Sequence, residues 1–171
     1  FPPMPLRLFV VTGLPGVGKT TVSRALTARV DGRLVRTDTV RAECIDDPQY
    51  TPDELAAVYD EVFGRARDTL GRGRCVILDG TFRRRVDRER AVGVAAETGA
   101  TLGIVAVECD ESTVRRRIAA RENDASDADF AVYRRFRERY EPIELPHATV
   151  DNSGGVDATE ARVDALLDGP S

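Results

Sequence analysis

Lysine is all but missing from this 171-residue chain: of 25 Lys+Arg residues, one is a lysine, Lys19. Cysteine is scarce too. Cys44, Cys75 and Cys109 are widely spaced, form no C-x-x-C pair and are odd in number, which argues against zinc and for free, mostly buried thiols in a reducing, cytoplasmic setting. The one histidine, His147, follows Pro146 at an expected strand start and is assigned no role. No apolar run approaches the ~18 residues of a membrane span, so no membrane partner is expected. Phe1-Pro2-Pro3-Met4-Pro5 is too short and of the wrong composition for a signal peptide. One reading makes Met4 the start and residues 1–3 a processing remnant. A net charge of −4 and a pI near 5.2 exclude a global attraction to nucleic acid. The length fits one domain with a full core, and residues 1–171 are read as one unit with a loose start at 1–5.

What is present is concentrated in one stretch, Gly13-Leu14-Pro15-Gly16-Val17-Gly18-Lys19-Thr20, which satisfies G-x-x-x-x-G-K-[ST] at every fixed position. An apolar segment, residues 6–12, precedes it and reads as a buried strand. Thr21 to Val30 follows as a helix with Val22, Ala25, Leu26 and Val30 on one face. In that context the glycines let backbone N–H groups turn around anionic oxygens, and the helix N-terminus adds partial positive charge. Lys19 supplies a mobile point charge for phosphates, and the Thr20 hydroxyl suits Mg²⁺. Composition bias alone would have put arginine at position 19; a planar guanidinium does not replace a compact ammonium there.

Along the chain, the pattern predicts a strand at 33–37 and a helix from Thr39 to about Ile45, capped by Asp38. Thr51-Pro52-Asp53-Glu54 starts a helix that ends at Gly71-Arg72-Gly73. Further strands are expected at 74–79, 101–108 and 147–151. Further helices are expected at 84–97, from Asp110 or Ser112 to about Arg121, at 128–140 and at 156–167, with a polar lid loop at 122–129. This alternation implies an α/β fold with a parallel sheet and ligands at the strand C-termini. Thr12, Asp38, Asp79, Asp110 and Asp151 then converge on one rim.

Asp38 can act as general base towards a hydroxyl; the alternative is a helix cap with a surface ion pair. Arg41, one turn on, can grip an anionic acceptor or orient Asp38. Asp79 can hold a metal-bound water or form a strand-end turn. Arg117 and Arg121 share a helix face beside the lid, where arginines stabilise a migrating phosphoryl group. Arg83 to Arg90 reads as a solvated face, with an anionic-acceptor surface as the alternative, and Tyr133, Phe136 and Tyr140 as core.

With these motifs the chain resembles the P-loop kinases, in the branch holding polynucleotide 5′-kinases, chloramphenicol phosphotransferases and zeta-type toxin kinases. The resemblance runs from about Leu6 to Asn152. It implies a three-layer fold with a central five-stranded parallel sheet, helices on both faces and a small helical lid. It implies ATP and Mg²⁺ as donor and metal. The nucleotide would be held by Gly13, Gly16, Val17, Gly18, Lys19, Thr20 and Thr21, and the metal by Thr20 and Asp79. Asp38 would be the base, Arg41 would face the acceptor, and Arg117 and Arg121 would be the lid arginines. Asn152-Ser153-Gly154 resembles the adenine-side loop, with Asn152 on the nucleotide. The acidic stretch Asn123 to Asp129 departs from the basic lid expected for a polyanionic acceptor. The expected partner is therefore a small molecule with a hydroxyl group, on a monomer or weak dimer. A polynucleotide 5′-hydroxyl kinase and a non-kinase ATPase switch are the alternatives.

Overall fold

The computed structural model describes residues 5–121 and 126–168; the side chains of 121 and 126–129 lie outside the description. The elements run β1 (Arg7–Thr12), α1 (Lys19–Val30), β2 (Arg33–Arg36), α2 (Thr37–Cys44), α3 (Pro52–Gly71), β3 (Val76–Gly80), α4 (Arg85–Thr98), β4 (Thr101–Glu108), α5 (Glu111–Arg121), α6 (Ser126–Arg139), β5 (Ala148–Asp151) and α7 (Val156–Asp168). The five strands form one parallel sheet in the order β2-β3-β1-β4-β5.

Alternation along β1 divides the core. Leu8 and Val10 pack with Val58, Val62, Phe63 and Leu70 of α3 and with Ala91 and Val94 of α4. Phe9 and Val11 face Val22 and Leu26 of α1, Val114 and Ile118 of α5, and Val163 of α7. The central strand is therefore apolar on both faces, as a covered parallel sheet requires. The start of α3 follows from its sequence: the Thr51 hydroxyl accepts the Glu54 N–H at 3.2 Å, and Pro52 occupies a position that needs no donor.

Three expectations change. Asp38 does not cap α2. The helix begins at Thr37, Arg36 is its N-cap, and Asp38 lies in the first turn. Thr37 is drawn in because it packs under Gly80, where an added Cβ would come within 2.6 Å of its Cγ2. The lid loop is shorter than expected, because α6 starts at Ser126; residues 122–125 lie outside the description. The thiols are not mostly buried: Cys75 is, Cys109 is half-buried and Cys44 is exposed. No helix among the described residues is long and apolar enough to cross a membrane.

Candidate functional site

The glycine loop joins the C-terminal end of β1, in the middle of the sheet, to the first residue of α1. Gly18 is the N-cap of α1 at φ 85°, in the left-handed region. A Cβ there would lie 2.1 Å from Nδ2 of Asn152, and one at Gly13 would lie 2.8 Å from the Val107 carbonyl oxygen. The loop is thus packed against β4 and the β5–α7 turn with no room for a side chain at either position.

Lys19 reaches back over this loop, its Nζ donating to the Leu14 carbonyl at 3.2 Å. Burial lowers its pKa, and the charges of Asp79 and then Asp38 oppose that shift. Thr20 and Thr21 are half-buried in the first turn of α1.

Asp79 is 4% exposed and stands opposite Arg36 in the β2–β3 register. Arg36 Nε is 3.9 Å from Asp79 Oδ2, beyond hydrogen-bonding distance, and both atoms are buried without a partner. A buried carboxylate oxygen that makes no hydrogen bond and faces Arg36 only at 3.9 Å leaves room for a hydrated divalent cation, which Asp79 with the Thr20 hydroxyl would hold. Asp38 is exposed, and its Oδ1 accepts from Arg41 Nη1 at 3.3 Å. Arg41 is mostly buried, its Nε has no partner, and its guanidinium lies over the Tyr50 ring, 5.1 Å from the centroid.

The lid arginines divide. Arg117 of α5 donates to the Gly154 carbonyl at 3.1 Å and contacts Cys109 Sγ at 3.5 Å. Its Nη1 would be 3.7 Å from a Cβ at Gly18, which brings it to the glycine loop. The side chain of Arg121 lies outside the described residues.

Asn152, expected on the nucleotide, is bound to the protein by its side chain. Its amide faces the protein rather than an open nucleotide surface: Nδ2 donates to the Val17 carbonyl at 2.8 Å and is 3.4 Å from that of Gly18, while Oδ1 accepts from the Thr159 hydroxyl. Buried at 5% exposure, it holds the loop's shape.

Sequence patterns missed three features. Arg88, expected on a solvated face, is 1% exposed. It donates to the carbonyls of Phe82, Glu141 and Pro142 and stacks on Tyr140. Tyr140 in turn bonds the Thr12 hydroxyl, which donates to the Thr81 carbonyl at 2.6 Å. His147 is not remote from the rim; with Tyr133, Tyr140 and Arg137 it lines a cavity of about 460 Å³ that also touches Thr12, Gly13 and Leu14. The segment after α6 carries it there by crossing back over the strand ends. Asp79 was legible as a strand-end acid, but nothing local signalled that Arg36 would stand across from it.

The glycine loop on a 2-3-1-4-5 parallel sheet defines a P-loop protein with the fold of the P-loop kinases. Residues 8–143 match the family model described as an AAA domain (AAA_33), and the chain belongs to that family. It is 33% identical over 135 residues to uncharacterized protein Rv2004c of Mycobacterium tuberculosis and to uncharacterized protein Mb2027c of Mycobacterium bovis. Each match covers 72% of this chain and 27% of the relative, so the chain spans about a quarter of those proteins' length. Among solved structures, the Mycobacterium tuberculosis APS kinase CysC in complex with AMPPNP and APS superposes with a TM-score of 0.75 at 17% identity, covering 98% of this chain and 100% of that one. A gluconokinase from Sinorhizobium meliloti gives 0.73 at 19%, covering 95% and 91%. Chaetomium thermophilum Kti12 in complex with ADP-AlF3 gives 0.71 at 21%, covering 96% and 99%.

Proposed function

We propose that this protein is an ATP-dependent phosphotransferase that moves the γ-phosphate of ATP to a hydroxyl of a small-molecule acceptor. The observation that carries the reading is geometric: the glycine loop leaves the C-terminal end of the central strand with Gly18 in the left-handed region at the start of α1, and Asp79 stands as a buried carboxylate near the end of the adjacent strand. A metal ligand and a base beside the phosphate lysine are what phosphoryl transfer to an alcohol needs. Structural neighbours solved with AMPPNP and with ADP-AlF3 support ATP as the donor, and the APS bound to one of them and the gluconokinase name of another support a small acceptor.

In this reading Gly13, Gly16, Val17, Gly18, Thr20 and Thr21 hold the donor phosphates through backbone N–H groups and hydroxyls. Thr20 and Asp79 hold Mg²⁺. Bound Mg²⁺–ATP supplies the transferable phosphoryl group and a cation that offsets its charge. Lys19 leaves the Leu14 carbonyl to meet the phosphate oxygens. Asp38 takes the proton of the incoming hydroxyl as its oxygen bonds to phosphorus and ADP departs. Arg41 orients Asp38 and faces the acceptor, and Arg117 and Arg121 neutralise charge on the transferred group. Asn152 acts through the loop rather than on the nucleotide.

The test is Asp38→Asn. Acceptor-stimulated ADP release should fall by about a hundredfold or more while ATP affinity stays near that of the parent protein. Undiminished turnover in the variant refutes the assignment. ADP release that needs no acceptor indicates an ATPase switch, and a steeply salt-dependent affinity for oligonucleotides indicates a polynucleotide kinase.

A further inference from the structure

Tyr50 is 75% exposed and has a backbone φ of 56°, in the left-handed region that a bulky residue rarely occupies. Its position is imposed. The Glu54 carboxylate accepts the backbone N–H groups of Gln49, at 2.8 Å, and of Tyr50, at 2.6 Å, while Thr51 caps α3 immediately afterwards. One side of the ring is covered by the Arg41 guanidinium, which also bonds Asp38. The rest is open to solvent. The fold thus holds a strained backbone and an exposed aromatic ring one residue-contact away from Asp38, and among the described residues no packing uses that ring's open side. Strain kept in place by its surroundings collects where a ligand is gripped.

We infer that Tyr50 is a specificity residue: its open face stacks on a planar, conjugated ring of the acceptor, so that the substrate is a ring-bearing alcohol. This rests on the reading of Asp38 as the base. A flat ring suits the site because Arg41 holds the tyrosine from behind and fixes its plane, and stacking on a fixed plane is favourable for any aromatic π-face. Arg41, whose Nε has no partner, puts positive charge behind the same ring, so an acceptor that also carries a carboxylate or phosphate is preferred.

The experiment uses four defined alcohols: 4-(hydroxymethyl)benzoate (ring and anion), cytidine (ring only), gluconate (anion only) and glycerol (neither). Acceptor-stimulated ADP release should favour the two ring compounds, whose separate responses distinguish an aryl group from a nucleobase. Tyr50→Ala and Tyr50→Gly should raise the KM for the better ring compound by about tenfold with little change in ATP affinity, and Tyr50→Phe should restore it. Tyr50→Gly is the decisive variant. Glycine tolerates the left-handed backbone, so its thermal stability should equal or exceed that of the parent protein, and a raised KM cannot then be blamed on misfolding. Binding is read in parallel by saturation-transfer NMR of the ring protons of 4-(hydroxymethyl)benzoate with AMPPNP present. Ring-proton transfer that disappears in Tyr50→Ala, with no turnover of any alcohol, upholds the stacking face and sinks the kinase reading. Preferred turnover of gluconate or glycerol, an unchanged KM in Tyr50→Gly, or no ring-proton transfer overturns the inference and leaves the kinase reading standing on Asp38.

Discussion

Asn152 donates a hydrogen bond from Nδ2 to the carbonyl of Val17 at 2.8 Å, tying the β5–α7 turn to the glycine loop. Its Oδ1 is held by Thr159, which is itself fully buried in α7. The backbone carbonyls of Val17 and Gly18 are thereby turned towards α7. The Val17 N–H turns back on the Leu14 carbonyl at 3.4 Å, so the tie from Asn152 holds a loop that is already closed on itself.

Asn152→Ala should therefore cost stability, by about 1–3 kcal/mol from the lost buried hydrogen bonds, and should weaken ADP binding as well. Asn152→Asp should be the more harmful change, because a carboxylate would then face two carbonyl oxygens. Titration calorimetry with ADP ranks the two variants. Unaltered affinity in both would show that the loop keeps its shape without this tie.

Lys19 carries a stability cost in the nucleotide-free protein. Its pKa is lowered in the folded state, chiefly by burial, so the unfolded chain binds this proton more tightly. Lys19 therefore contributes a stability that increases with pH between its lowered folded value and the ordinary lysine range. At neutral pH, Lys19→Met should melt above the parent protein while losing the melting shift that ATP produces. Thermal scans with and without ATP check both halves of that expectation.

Tyr59 predicts the alkaline limb. Desolvation pushes its pKa up to about 12, against an ordinary value of 10.0, and its hydroxyl oxygen accepts the Phe82 N–H. The unfolded chain ionises first, so this contribution is intact below pH 10 and is lost as pH rises to about 12. The loss amounts to roughly 3 kcal/mol from the two-unit shift. Denaturant midpoints across that range should fall less steeply for Tyr59→Phe. An equal slope would place the alkaline sensitivity elsewhere.

Arg88 predicts the strongest single destabilisation outside the loop. Arg88→Met would leave the buried Phe82 carbonyl without its donor and free the Glu141 and Pro142 carbonyls to solvent, at a cost of roughly 3 kcal/mol. Arg88→Lys should recover part of this, since an ammonium cannot span all three acceptors. Urea midpoints separate the two variants.

The readable part of this protein is local in origin. The glycine loop, the Thr51-Pro52 helix start and both ends of β4 (Thr101–Glu108) were all legible, because each depends on neighbouring residues: backbone freedom at glycine, a cap three residues from its donor, an apolar run between polar ends. Alternating strands and helices also implied a parallel sheet with a shared ligand rim.

What the residue string could not disclose were contacts created by strand order. Arg36 meets Asp79 because β2 lies beside β3, and Asn152 reaches Val17 across 135 residues because α1 and α7 share one face of the sheet. Arg88 looked like one of several surface arginines, and it is buried because the return segment after α6 crosses over the start of α4. Tyr50 looked like an ordinary loop residue until Glu54 and Arg41 were seen to hold it. Hydrogen bonding and burial between distant segments depend on how the elements pack, and no local preference encodes which side chain will stand across the gap.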